Sequence, residues 1–168
     1  MRDDRPLGKF TCKFTLELVR PPVIEREERD GITYLVGRNY EMAYRTILRF
    51  ESGGELAIIT TLIGDTNRQV VIRDGDGKPT GISGCVQGRS RITDTDGNLI
   101  FEGTYYDARV TQALSGDDAL TGVGPRIIEH LENGFGHGVY AGHALSLSIR
   151  LVRDGSERRS EQGRGYID

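Results

Sequence analysis

The chain has 168 residues, a net charge of −3 at neutral pH, 36% apolar residues, 23 glycines and no tryptophan. That length suits one domain burying about 70% of the surface its unfolded chain exposes. The charge balance lacks the basic stripe of nucleic-acid binders, and no run of about eighteen apolar residues is present to cross a bilayer as a helix. Neither nucleic acid nor a membrane is therefore an expected partner.

The opening stretch, MRDDRPLGKFTCKF, lacks the apolar core of a secretory signal. Cys12 and Cys85 are accordingly expected to be reduced thiols in a cytoplasmic protein. Residues 1–9 are charged and patternless and are expected to be flexible. In FTCKFTLELV, Phe10, Cys12, Phe14, Leu16 and Leu18 alternate with polar residues, the period-two pattern of a strand. EMAYRTILRF repeats it, with Met42, Tyr44, Thr46, Leu48 and Phe50 opposite Arg45 and Arg49. ELAIITTLIG is apolar on both parities and predicts a strand covered on both faces. RQVVIRDGDGKPTGISGCVQGRSRI reads as two strands joined by an Asp-Gly turn. The second of these sets Ile82, Val86 and Ile92 against Gln87, Arg89 and Arg91. DTDGNLIFEGTYYDARV adds another Asp-Gly turn and a long strand.

GPRIIEHLENG breaks the pattern. Pro125 suits a first helical position, Ile127, Ile128 and Leu131 share a stripe, and Gly134 suits a left-handed cap, which predicts a short helix near residues 124–134. Apolar alternation from His137 to Leu151 closes the series of strands. Residues 154–168 show no period and are expected to form a flexible tail. The predicted fold is thus all-β: one domain over residues 10–153, a closed antiparallel β-barrel of about eight strands with one short helix. Closure removes exposed edges; a two-sheet sandwich is the competing arrangement.

All three histidines fall between residues 130 and 143. On the last predicted strand, His137, Val139, His143, Leu145, Leu147, Ile149 and Leu151 share odd parity and are expected to face the interior. A desolvated imidazole there loses its charge and offers a donor and an acceptor, suited to moving a proton or holding a polar substrate atom. A structural histidine bonded to a backbone carbonyl is the plainer alternative. Asp107 and Arg109 share a face with Phe101 and Tyr105, as an interior ion pair or clamp, or else as an exposed pair near the strand's end. Tyr44 and Tyr105 would each set a hydroxyl tip in an apolar wall. The catalytic candidates are His143, His137, Tyr105 and Asp107. The substrate-lining candidates are Tyr44, Phe14, Phe50, Val139, Leu145 and Arg109.

Spacings of seven and six residues between the histidines match no compact zinc signature, so no metal is expected. GISGCVQG is not followed by a helix, and GFGHGVYAG precedes a strand; neither fits a phosphate or dinucleotide loop, and no cofactor is expected.

The stretch Gly136-His137-Gly138-Val139-Tyr140-Ala141-Gly142 reads G-x-G-x-(Tyr/Phe)-x-G before an apolar-alternating strand. It resembles the glycine-rich segment of the allene oxide cyclase and dirigent-like barrels, and NLIFEGTYYD (98–107) looks like the strand that precedes it there. The resemblance covers residues 98–151, and the GPRIIEHLENG insertion departs from it. It implies an eight-stranded antiparallel barrel, often homo-oligomeric, with its pocket inside. The enzymes of that group, bacterial polyketide cyclases among them, fold a flexible substrate without a cofactor; dirigent members guide a coupling without catalysing it. In the plant cyclases a carboxylate on the first strand assists; Glu17 is the nearest match, but its parity points it outward. The expected function is a cofactor-free cyclase or isomerase enclosing an apolar small molecule, polyketide- or lipid-like, in a reactive conformer. A non-catalytic small-molecule-binding barrel and a structural module filled by its own side chains are the competing readings.

Overall fold

The computed structural model describes residues 5–21, 23–111, 126–154 and 157–168. The strands are β1 (Gly8–Cys12), β2 (Phe14–Arg20), β3 (Val23–Arg29), β4 (Ile32–Phe50), β5 (Glu55–Arg73), β6 (Pro79–Thr93), β7 (Leu99–Thr111), β8 (Arg126–Gly136), β9 (Ala144–Asp154), β10 (Glu157–Ser160) and β11 (Gly163–Ile167). Eight of them form a hydrogen-bonded ring, β1-β11-β9-β8-β7-β6-β5-β4, which returns from β4 to β1. Every pairing is antiparallel, and the return runs through Phe10 opposite Phe50 and Thr11 opposite Arg49. β2 and β3 lie along the rest of the β4 edge, and β10 along the rest of the β9 edge.

Alternation in the sequence becomes inside and outside of this ring. Phe10 and Cys12, Tyr40 to Phe50, Leu62, Val86, Ile92, Tyr105 and Leu145 to Leu151 supply inward side chains that pack as one buried cluster. Their charged neighbours Arg45, Arg49, Arg89, Arg91 and Arg150 point outward. Burying each large apolar side chain contributes about 1.5–3 kcal/mol, so the alternation sets the register: a slip of one residue would turn every core group to solvent.

Inward glycines make room for inward rings. A Cβ at Gly64 would lie 1.8 Å from the Tyr40 ring, and one at Gly165 would lie 2.2 Å from the Phe10 ring and 2.3 Å from the Ser146 carbonyl oxygen. Three turns follow from local chemistry. Asp30 and Gly31, with φ of 52° and 77°, form the two-residue turn between β3 and β4. In the β5–β6 and β6–β7 loops, Asp74 and Asp94 each accept backbone N–H groups two and four residues on.

Beyond the ring, the far halves of β4, β5 and β6 run on with β3 and bury a small separate core of Leu35, Val71 and Ile82. The change occurs at an irregularity between Ile63 and Arg68, where β5 advances five residues against four of β6, from Arg89 to Cys85. The extra residue switches the buried parity from Leu62 and Gly64 to Asn67, Gln69 and Val71.

Three expectations are corrected. Residues 126–136 are a strand, not a helix; residues 124 and 125 lie outside the described ones. Isolated helical spacing in this segment loses to the two ladders available on either side, β7 and β9, which satisfy its backbone groups. The C-terminal segment is not a free tail either. β10 pairs with β9, and β11 fills the place between β9 and β1. Residues 8 and 9 at the other end are ladder-paired with Ile167 and Tyr166. β11 shows no period in the sequence because two of its three inward positions, Gly163 and Gly165, carry no side chain beside Ile167.

Replacing Gly165 with Ala should destabilise the fold by about 1–3 kcal/mol, the usual cost of forcing atoms into a packed core. Gly75→Ala, where a Cβ meets nothing within 4 Å, should change stability by less than about 0.5 kcal/mol. Urea unfolding of both variants checks this; equal midpoints would mean that β11 does not pack against Phe10.

Candidate functional site

Within the ring, β8 carries a polar pair on its inward face, among mostly apolar neighbours. Ile128, His130, Glu132 and Gly134 share the inward parity, and His130 and Glu132 are 1% and 0% exposed. Register then fixes their neighbours. His130 lies opposite Asp107 of β7 and Ile149 of β9, and Glu132 lies opposite Tyr105 and Leu147.

These residues form a continuous hydrogen-bonded chain. Tyr44 donates its O–H to Glu132 Oε2 at 2.6 Å. His130 Nε2 lies 3.1 Å from the same oxygen, and His130 Nδ1 lies 2.5 Å from Asp107 Oδ1. Carboxylates only accept, so both contacts are bonds when the imidazole is doubly protonated and donates twice. Burial by itself disfavours the imidazolium. The hydrogen bonds from Asp107 and Glu132, and their charges, outweigh it and push the His130 pKa up to about 9.

The surroundings are aromatic. Phe14 stacks on Tyr44 at 4.1 Å with 18° between planes, and Tyr105 stacks on His130 at 5.9 Å with 28°. Tyr105 donates its hydroxyl to that of Tyr40 at 2.8 Å. Burial, then the charge and hydrogen bond of Glu132, hold the Tyr44 phenol well above its ordinary pKa. Burial and the Glu132 charge likewise push the Cys12 thiol up to about 12. Both groups are therefore proton-bearing at neutral pH.

Of the buried side-chain oxygens without a partner among the described residues, Thr60 Oγ1, Ser90 Oγ and Glu132 Oε1, only the last belongs to a carboxylate. Glu132 Oε1 is fully buried and accepts no hydrogen bond among the described residues. A buried, unsatisfied polar atom costs about 1–3 kcal/mol, more when charged. Since Oε2 is held by Tyr44 and His130, the free lone pairs of Oε1 are fixed in direction. The arrangement is an oriented carboxylate, backed by a cation, inside an aromatic wall. It can accept a proton from a guest.

Of the residues singled out in the sequence, Asp107, Tyr105, Tyr44 and Phe14 meet around His130. Phe50 is buried elsewhere in the ring, 5.4 Å from Phe10, and Leu145 is buried on β9. The side chain of Arg109 lies outside the described residues. His137, His143 and Val139 do not face the interior. The chain turns at residues 136–143, where Gly136 N–H bonds the His143 carbonyl, a 3-10 turn spans Gly138–Tyr140, and Gly138 and Gly142 take φ of 55° and 90°. Alternation begins only at Ala144. Val139 is 59% exposed, His137 is exposed with Nε2 3.8 Å from Glu102 Oε2, and His143 is half-buried against the Asp168 backbone oxygen. Tyr140, of the opposite parity, is the buried residue of this turn, packed on Phe101.

His130 and Glu132 were hidden by the helical reading of their segment. As a strand, the same residues place a histidine and a glutamate two apart on the core face, which is the signal. Among the described residues, no three His, Cys, Asp or Glu side chains converge as a metal-binding set. A cavity of about 610 Å³ opens on the outer face between Gln87, Thr104, Tyr106, Leu131 and Asn133 and reaches Gly88 and Tyr105, the ring that stacks on His130.

The raised pKa of His130 has a pH signature. Its ordinary value is 6.5 and its folded value about 9, so its contribution to stability is complete below pH 6.5 and is lost as pH rises through 9. The contribution is on the order of 3 kcal/mol. Urea midpoints should therefore fall between pH 6 and pH 9.5, and His130→Gln should remove that fall; an unchanged pH slope in the variant would show that the imidazole is not held charged.

In comparison with known proteins, the chain matches no family model, and no curated protein or solved structure gives a significant match.

Proposed function

We propose that the eight-strand ring is a closed antiparallel barrel that encloses an apolar small molecule, with Glu132 the general base of a cofactor-independent isomerisation or cyclisation. The observation that carries this reading is the buried, unpartnered Oε1 of a carboxylate whose other oxygen is already bonded twice. A group kept only for packing would gain by having both oxygens satisfied.

In this reading, Oε1 removes a proton from a carbon made acidic by an adjacent carbonyl. The electron pair left on carbon either takes the proton back at another position of the conjugated system or attacks a carbonyl carbon of the same molecule, closing a ring as the C=O π pair moves onto oxygen, which takes the proton back from Glu132. The Tyr44 hydroxyl and the His130 imidazolium keep the carboxylate oriented through Oε2, and Asp107 keeps His130 charged and in place. Phe14, Tyr44 and Tyr105 exclude water, which strengthens each of these interactions. The proton-transfer role expected of His137 and His143 moves to the interior of β8, because those two side chains sit on the turn outside the core.

The test uses 5-nitrobenzisoxazole, a small planar substrate whose ring opens when a base takes its C3 proton and the N–O bond breaks, releasing 2-cyano-4-nitrophenolate. The protein should accelerate this reaction over buffer. Glu132→Gln should lower kcat/KM at least about 100-fold, the span usual for a positioned base, while His137→Ala and His143→Ala should stay within about twofold. A folded Glu132→Gln variant as active as the parent protein would remove Glu132 from the role.

A further inference from the structure

Among the described residues, ladders join each neighbouring pair of strands in the ring, and one stretch of its wall lies beyond their reach. β1 and β11 pair as far as Cys12 and Gly163. Beyond that level, the facing edges are β2, held on β4, and β10, held on β9, and no ladder joins them among the described residues. The bond recorded across this slit runs from the Phe14 N–H to the Ser160 hydroxyl at 2.8 Å. Parting two laddered strands breaks a row of backbone bonds. Among the described residues, parting β2 from β10 breaks a bond to a rotatable side chain.

The slit lies in front of the buried chain. Phe14 is the first residue of β2; its ring covers the face of Tyr44 and meets the edge of His130 at 5.9 Å. It thus occupies the place next to the Tyr44–Glu132 bond that a guest would need. Whatever replaces it meets a phenol face on one side, and a flat ring fits there as Phe14 does.

Resting on the assignment of Glu132 above, we propose that the substrate is a flat, conjugated molecule that enters between β2 and β10, and that Phe14 is the gate that selects it. Ser160 is the latch. Entry swings the Phe14 ring off Tyr44 and leaves the guest stacked in its place, with its acidic C–H toward Oε1.

The molecule carries its own reporter. Cys12 is 3% exposed, two residues before Phe14 and close enough to Glu132 to feel its charge. With the exposed Cys85 replaced by Ser, Cys12 is the remaining thiol. It can be titrated with 4,4′-dithiodipyridine, a neutral disulfide carrying two flat aromatic rings, which forms a mixed disulfide and releases 4-thiopyridone. Phe14→Ala should raise the labelling rate at least tenfold, with Phe14→Leu and Ser160→Ala raising it severalfold. The non-planar, anionic 2-sulfonatoethyl methanethiosulfonate should gain much less. Leu62→Ala, a buried truncation on β5, is the control for loss of global stability, measured by urea unfolding of each variant. If the three slit variants label no faster than Leu62→Ala at matched stability, or if the two reagents gain equally, the proposal is overturned. Labelling needs no turnover, so a failed Glu132 assignment with an intact slit would appear as loss of the elimination result alone.

Discussion

The interior of this protein is organised around one buried cation. His130 sits between the carboxyl groups of Asp107 and Glu132 with almost no exposure to water. An isolated charge could not remain ionised there; it would shift its pKa and neutralise. The imidazolium survives because two carboxylates on adjacent strands accept hydrogen bonds from both of its N–H groups, and because the tyrosine on the far wall satisfies the shared oxygen. Buried pairs of this kind are weak devices for stability, since desolvation offsets much of their attraction. Here Glu132 keeps an acceptor that no described residue fills.

The ring of strands makes that arrangement possible. His130 and Glu132 come from β8, Asp107 from β7 and Tyr44 from β4, and only a sheet curled back on itself brings β4 within hydrogen-bonding reach of β8. The aromatic rings that surround the cluster need the inward glycines. Tyr40 lies over Gly64 and Phe10 over Gly165, each ring using space that a Cβ would take. Glycine is abundant in this chain for a packing reason as much as for turns.

The same geometry separates strong and weak parts of the wall. Between β4 and β9, going through β5, β6, β7 and β8, each strand is laddered along much of its length. On the other side the wall is pieced together from short strands: β1 and β11 close it, then β2 and β10 pass each other with a side-chain contact. Stability is not uniform across a fold, and elements with few shared backbone bonds open first. The cluster sits behind that weaker side.

Alternation of apolar and polar residues was enough, in the sequence by itself, to establish an all-β chain, to place Tyr44, Phe14, Tyr105 and Leu145 on inward faces, and to locate the Asp-Gly turns; for Asp107 it left an interior and an exposed position open. A period of two is a local property, readable wherever a strand buries one face. The sequence did not reveal β8, because His130 and Glu132 break the apolar alternation and leave a spacing that fits a helix, and it did not reveal β11, whose inward residues are mostly glycine. It also carried the alternation through His137 and His143, where glycines with positive φ turn the chain away from the sheet. Only the tertiary structure decided these points: a strand gains its backbone partners from neighbours distant in sequence, and a histidine becomes a buried cation only where folding sets two carboxylates against it.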